Sequence, residues 1–385
     1  MGLSERLSRY AVRRAHVLVV EAPGAWTARA RLERAVIERG WRLAQSPADA
    51  DVLAVCGVPG PELTTVIERL WEQLPGPRVR VQVRHAQDED VTAALQAAEA
   101  DLADTEQHRR DARSRPAGPE VESSADEGMD HEGMDRGDMD HEGMDHGDME
   151  MAPGGIPLAE GDNDRDGLEM DVLHLRLGPV LTHWPAGLVL RCTLQGDVIT
   201  AAEGRLIDDD HPDHEETGGT DEVTEPALAG ATAYRDLQSL HPAWRCDNVA
   251  RMLALAGWED AAGRARQLRD AQLASTAPAE IADKLRRQVI RSRSLRWSLR
   301  RLRTLTAAEL ADHGLPTRLE GDTYDRLLSM LDRLSPTEGD QGKGQDMGPE
   351  SIAAVVVGLD LATARLVVAS LDLPPLQAHQ AVAHA

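Results

Sequence analysis

Along the first hundred positions, short apolar runs alternate with amphipathic stretches. HVLVV at 16–20 and DVLAVC at 51–56 are nearly continuous apolar runs of strand length, and RVRVQV at 78–83 alternates with period two. Between and after them, apolar residues recur at helical spacing from Thr27 to Arg39, from 63 to 74 and from 88 to 104. Thr27 is placed to cap the first helix, and Pro61 stands where the second begins. Strand and helix alternating three times predict an α/β unit over residues 1–105, a three-layer sheet with right-handed crossovers. Ligands of such sheets sit beyond the carboxyl ends of the strands, here Glu21–Trp26, Gly57–Gly60 and Arg84–Gln87.

The pattern changes in the second half. Residues 171–204 alternate and turn like a β-meander, with strands at 188–194 and 197–203 joined by Gln195-Gly196. From Ala243 onward the spacing is helical: one helix carries Asn248, Leu253 and Leu255, Gly257 stops it, and a second begins at Glu259. Residues 284–303 hold nine basic residues and no acidic one, with an apolar stripe of Leu285, Val289, Leu295, Leu299 and Leu302 and with Trp297 beside it. Such a helix either packs in a bundle with its arginines reaching water, or binds an anionic membrane surface or an acidic partner, the chain's own acidic linker included. A Gly-rich polar run at 335–350 forms a short linker, and 351–385 carries a last helix from Ser351 to Asp372. Its apolar window, 352–371, contains Asp360 and Arg365, so it reads as a buried helix rather than a membrane span. The second domain is thus 156–334, α+β and mostly helical.

Between the halves, residues 128–152 are five pentads, each with Met at its second place. A period of five builds neither a helical nor a strand face. From 120 to 151 there are thirteen Asp and Glu against one Arg, so residues 106–155 read as a disordered acidic linker. The pentads also concentrate soft and borderline metal ligands: Met129, His131, Met134, Met139, His141, Met144, His146, Met149 and Met151. Thioether sulfur suits Cu(I), and imidazole suits Cu(II), Ni(II) and Zn(II), so copper or nickel are the metals this set would take. The acidic loop 207–226, with His211 and His214, reads as solvated filler, with weak metal affinity as the alternative.

The net charge of −24 argues against nucleic-acid binding. Cys56, Cys192 and Cys246 form no CxxC pair, so neither a zinc ribbon nor a disulfide framework is expected. VLVV near the start is too short for a signal peptide, which predicts a cytoplasmic protein, with a peripheral position on the inner face of the cell membrane through Lys284–Arg303 as a further expectation.

SPADADVLAVCGVPGPELTTVIERLWEQLPGPRVRVQV resembles the small, cluster-bearing subunit of complex I and of nickel–iron hydrogenases, with Asp51–Gly57, Trp71–Gln73 and Leu74–Pro77 as the matching places. The resemblance spans roughly residues 15–85 and implies a flavodoxin-like fold for the front domain. Residues 171–204 are similar to the opening of the complex I quinone-site subunit and of the hydrogenase large subunit, through Gly178-Pro179 and Gln195-Gly196-Asp197.

The chemistry of both families is altered in this chain. A 4Fe–4S cluster needs thiolates on the loops after the strands, and those loops read Glu21-Ala22-Pro23-Gly24 and Arg84-His85-Ala86. The places of the two quinone-facing histidines hold Leu181 and Pro185, with His183 nearby. Cys246 stands without the CxxC partner a nickel–iron centre requires. No cofactor is therefore expected in the folded domains, and no catalytic residue is assigned. The expected role is that of a non-catalytic structural or assembly subunit of a complex I-like or hydrogenase-like complex, with other oxidoreductase subunits as partners. Metal binding through the pentads, and a redox-active NADH-quinone oxidoreductase subunit, are the alternatives. A fused pair should dock internally, with Trp26, Trp184 and Trp244 near the seam.

Overall fold

The computed structural model describes residues 12–115, 160–163, 169–208, 241–276, 279–334 and 347–375. The front half runs β1 (His16–Glu21), α1 (Trp26–Glu38), β2 (Arg42–Leu43), β3 (Val52–Cys56), α2 (Pro61–Gln73), β4 (Val79–Val83), α3 (Asp88–Ala103) and α4 (Thr105–Ser114). The four strands are parallel in the order β2-β1-β3-β4, with Val17 beside Val52 and Val52 beside Val79. β3 is buried along its whole length, as a central parallel strand must be when helices cover both faces. Leu32 and Val36 of α1 and Leu95 and Ala98 of α3 pack on one face against Val17, Ala54 and Val81. Leu63 and Ile67 of α2 pack on the other against Leu18, Leu53 and Val55.

That second face is completed by the rest of the chain. Val189 and Ile207 enter the same apolar cluster as α2. They belong to an antiparallel sheet of β5 (Glu160–Asn163), β6 (Glu169–Leu177), β7 (Leu188–Gln195) and β8 (Val198–Leu206), and to the turn that follows it. Helices come next: α5 (His241–Leu255), α6 (Glu259–Leu273), α7 (Ala279–Arg291), α8 (Arg293–Leu299), α9 (Ala307–Asp312), α10 (Thr323–Asp332), α11 (Pro349–Val356) and α12 (Leu361–Ser370). Leu188, Leu190 and Ile199 share a core with α11 and α12, while α5, α6, α7, α8 and α10 form a second core around Val249, Leu268, Leu285 and Leu327.

Four sequence expectations shift. The helix expected from Thr27 starts at Trp26, with Ala25 at the N-cap and no side-chain cap. α4 extends the front unit into the stretch that composition assigned to the linker from 106 onward; its Asp111 bonds Arg78 at 3.2 Å and its N-cap Asp104 accepts from Glu106 and Gln107. The basic segment 284–303 is two helices, because Ser292 caps a new start by accepting from the Leu295 N–H. The expected C-terminal helix of 351–385 is also two: α11 begins at Pro349, inside the stretch read as a linker, and a break at Gly358 (φ 84°) precedes Asp360, which caps α12.

The loop from Gly178 to Gly187 carries the chain across to the front half. Gly178 has φ 88°, and a Cβ there would meet the Leu188 carbonyl oxygen at 2.2 Å and Trp184 Nε1 at 2.4 Å. Gly263, inside α6, has open space around its missing Cβ. The same substitution should therefore act in opposite directions. Gly178→Ala is expected to lower stability by about 3 kcal/mol, and Gly263→Ala to raise it by about 0.5–1 kcal/mol, both read from denaturant midpoints.

Candidate functional site

The carboxyl end of β1 faces the helical half, and helical spacing sets what meets there. On α1, Trp26, Arg29, Ala30 and Glu33 fall three or four residues apart and share a side. On α5, Trp244, Asp247 and Arg251 do the same. Trp26, Ala30, Ala243 and Trp244 close into one apolar cluster. Two of the three tryptophans expected at the seam therefore belong to one cluster that spans it. The third, Trp184, packs in the core of the antiparallel sheet, donates its Nε1–H to the Leu188 carbonyl at 2.8 Å, and also lies near the seam, lining a cavity with β1 and Arg29.

Beside this cluster lies a buried ion network. Arg29 donates to Glu21, to Glu33 Oε1 at 2.5 Å and to Asp247 Oδ2 at 2.5 Å. Arg269, from α6 and fully buried, donates to Glu33 Oε2 at 2.6 Å, to Asp247 Oδ1 at 2.7 Å, to Asp270 Oδ1 at 2.9 Å and to the Ala30 carbonyl at 3.2 Å. Arg251 adds contacts to Glu21 at 3.2 Å and Asp247 at 3.1 Å. Every carboxylate in the set thus touches at least one guanidinium, which is the condition for burying such charges.

The electrostatics follow from that geometry. Burial opposes ionisation of Glu33, but Arg29 and Arg269 outweigh it and hold its pKa at about 2. Burial likewise opposes ionisation of Asp247, and Arg29, Arg251 and Arg269 hold it well below the carboxylate range. His183 sits in the Gly178–Gly187 loop in the left-handed region, φ 62°. Thr182 ties that loop to both halves, its hydroxyl donating to the Gln45 carbonyl at 3.0 Å and its carbonyl accepting from Arg365 at 2.7 Å. Burial, then Arg266 and Arg251, push the His183 pKa down to about 4. These shifts favour ionised Glu33 and Asp247 and a neutral His183 at neutral pH.

Two small cavities, of about 30 and about 70 Å³, adjoin the network and share Glu21, His183, Asp247 and Arg251 in their walls. They have room for one to about two waters each.

A second clasp closes the Gly57–Gly60 loop. Asp208, after β8, accepts from the Glu62 N–H at 2.7 Å at the start of α2, and Arg205 pairs with the Glu62 side chain through both guanidinium nitrogens. Two of the three loops expected to present a ligand are occupied by the chain's own second half. Arg84, His85 and Gln87, at the third, are exposed.

The cysteines stand apart. Cys56, Cys192 and Cys246 belong to three different apolar cores, and burial pushes their thiols up, Cys192 to about 11 and Cys246 to about 12. A set so divided does not fit a 4Fe–4S cluster or a nickel–iron centre. Among the described residues no group of three or more His, Cys, Asp or Glu is arranged to hold a metal. The pentad ligands from Met129 to Met151, and His211 and His214, lie outside the described residues. The ion network was not anticipated from the sequence; its one local signal is the Arg29–Glu33 spacing on the side that bears Trp26.

The lowered pKa values give a signed pH dependence. His183 stays neutral in the fold, so its share of stability is present above the unfolded histidine pKa of 6.5 and is lost as pH falls toward about 4. Glu33 stays ionised, so its share is present above 4.5 and is lost as pH falls toward about 2. Denaturant titrations should show stability falling from pH 6.5 downward, and His183→Gln should flatten only the part above pH 4.5.

Comparison with models of protein families, with curated proteins and with solved structures gave no match.

Proposed function

We propose that this chain is a non-catalytic structural or assembly subunit of a complex I-like or hydrogenase-like oxidoreductase, descended from a fused small and large subunit pair. One observation carries the reading: the place where a doubly wound sheet presents its ligand is filled by the Arg29–Asp247–Arg269 network of the second half. The strand order 2-1-3-4 agrees with a flavodoxin-like origin of the front sheet. A closed seam with paired charges suits a protein that offers outer surfaces to partners. Thioether, imidazole and carboxylate density in the pentads supports copper or nickel capture as a second activity of the same chain.

Affinity isolation of the chain from its native cells, from membrane and cytosolic fractions, should recover cluster-bearing oxidoreductase subunits in stoichiometric amount. Recovery only as a free monomer from both fractions contradicts the reading. Anaerobic reconstitution with iron and sulfide should leave no visible cluster absorption; a stoichiometric 4Fe–4S spectrum contradicts the account of the thiols. Titration of a 120–155 peptide with Cu(I) and Ni(II) tests the second activity, which is abandoned if affinity is no better than millimolar.

A further inference from the structure

Helices α7 and α8 turn their apolar residues inward and their cations outward. Leu285, Val289, Leu295 and Leu299 are buried, while Lys284, Arg287 and Arg291 on α7 and Arg293, Arg296 and Arg300 at α8 are exposed. Within each helix the exposed cations are three or four residues apart, so they line one stripe. Trp297 lies on the outward stripe of α8 and is 86% exposed. Arg286 is neutralised by Asp332, and Arg296 lies over the Tyr324 ring at 5.7 Å. Among the described residues, no carboxylate pairs with Lys284, Arg287, Arg291, Arg293 or Arg300. Between α6 and α7 an open recess of about 540 Å³ is walled by Trp258, Arg264, Lys284, Arg287 and Arg291, and it ends at Ser292 where α8 begins.

Among the described residues, the face thus combines cations paired with no carboxylate and a large apolar ring that is exposed. An acidic protein segment, the Met-bearing 120–151 stretch included, would neutralise the guanidinium groups but offers the indole only thioether contacts, with no apolar layer for the ring body to enter. A bilayer surface satisfies both: phosphates for the cations, and a boundary where the indole body is apolar and its N–H wet. We propose that the α7–α8 face docks on a lipid bilayer containing anionic headgroups, with Trp297 entering the interface and the α6–α7 recess receiving a headgroup. The charge of −24 does not oppose this, since thirteen acids within 120–151 and nine within 207–226 carry most of it. Among the described residues no helix is long and apolar enough to cross a membrane, so the contact is one of surface association. This docking stands whether or not the chain joins an oxidoreductase complex.

Flotation of the full chain with vesicles tests the idea. Phosphatidylcholine vesicles should leave the protein in solution, and vesicles mixed with phosphatidylglycerol should carry it, less so as salt rises. Each cation near an anionic leaflet strengthens partitioning about fivefold, so R287Q/R291Q/R293Q should weaken binding on the order of a hundredfold. W297A should weaken binding at low and high salt alike, because the indole contact is apolar and is not screened. These side chains are exposed, so circular dichroism and the denaturation midpoint should match the parent. Failure of the parent to float with phosphatidylglycerol vesicles at low salt overturns the proposal. So does flotation that both variants leave unchanged, or capture of a 120–151 peptide by the same face with vesicles excluded.

Discussion

Arg29 is removed from water at the joint between two half-chains, and a guanidinium can be placed there only with its counter-charges. Glu21 and Glu33 come from its own half and Asp247 from the other, so the front unit alone would leave the network short of Asp247. Arg269 presents the reverse case, since Glu33 and the Ala30 carbonyl reach it from the front half. Each half therefore completes the other's charges. Removing one partner of such a set costs about 3–5 kcal/mol, because it strands a buried charge, although the set as a whole adds little over apolar residues of equal volume. The apolar clusters that join Val189 and Ile207 to the front sheet and Trp244 to Trp26 supply hydrophobic burial between the halves, and the ions fix the register.

That division of labour explains why the seam is closed. An α/β sheet leaves its strand ends open because the turns there cannot all be covered by its own helices. Here β7, β8 and α5 cover the first two, and Asp208 supplies the N-terminus of α2 with an acceptor that Gly60, before Pro61, cannot offer. What remains beside His183 has the volume of a few waters. Chemistry that needs thiolates would have to draw on Cys56, Cys192 and Cys246, each locked in a different core.

The strands of the front sheet were legible because parallel strands buried on both faces leave unbroken apolar runs such as Val52–Cys56. β2 was not, since Arg42–Leu43 is too short to show a period. The division of the last apolar window into α11 and α12 was written in Gly358 and in Asp360 three residues before Thr363, a cap signal outweighed by the surrounding hydrophobicity. The network was out of reach for a different reason. Arg29 and Glu33 look like an ordinary exposed helical pair, and only residues 218 and 236 positions further on bury them. The tryptophans could be anticipated at the seam because large aromatics need burial; the charges between them depend on tertiary placement alone.

A double-mutant cycle between Arg29 and Asp247, followed by denaturant unfolding of the full chain, tests the central claim most directly. Arg29→Met and Asp247→Leu should each be severely destabilising alone and much less so together, with a coupling of at least about 2 kcal/mol. All variants that fold should unfold in one cooperative transition. Additive single effects, or two separate transitions in the parent protein, would show that the halves do not depend on the buried charges they share.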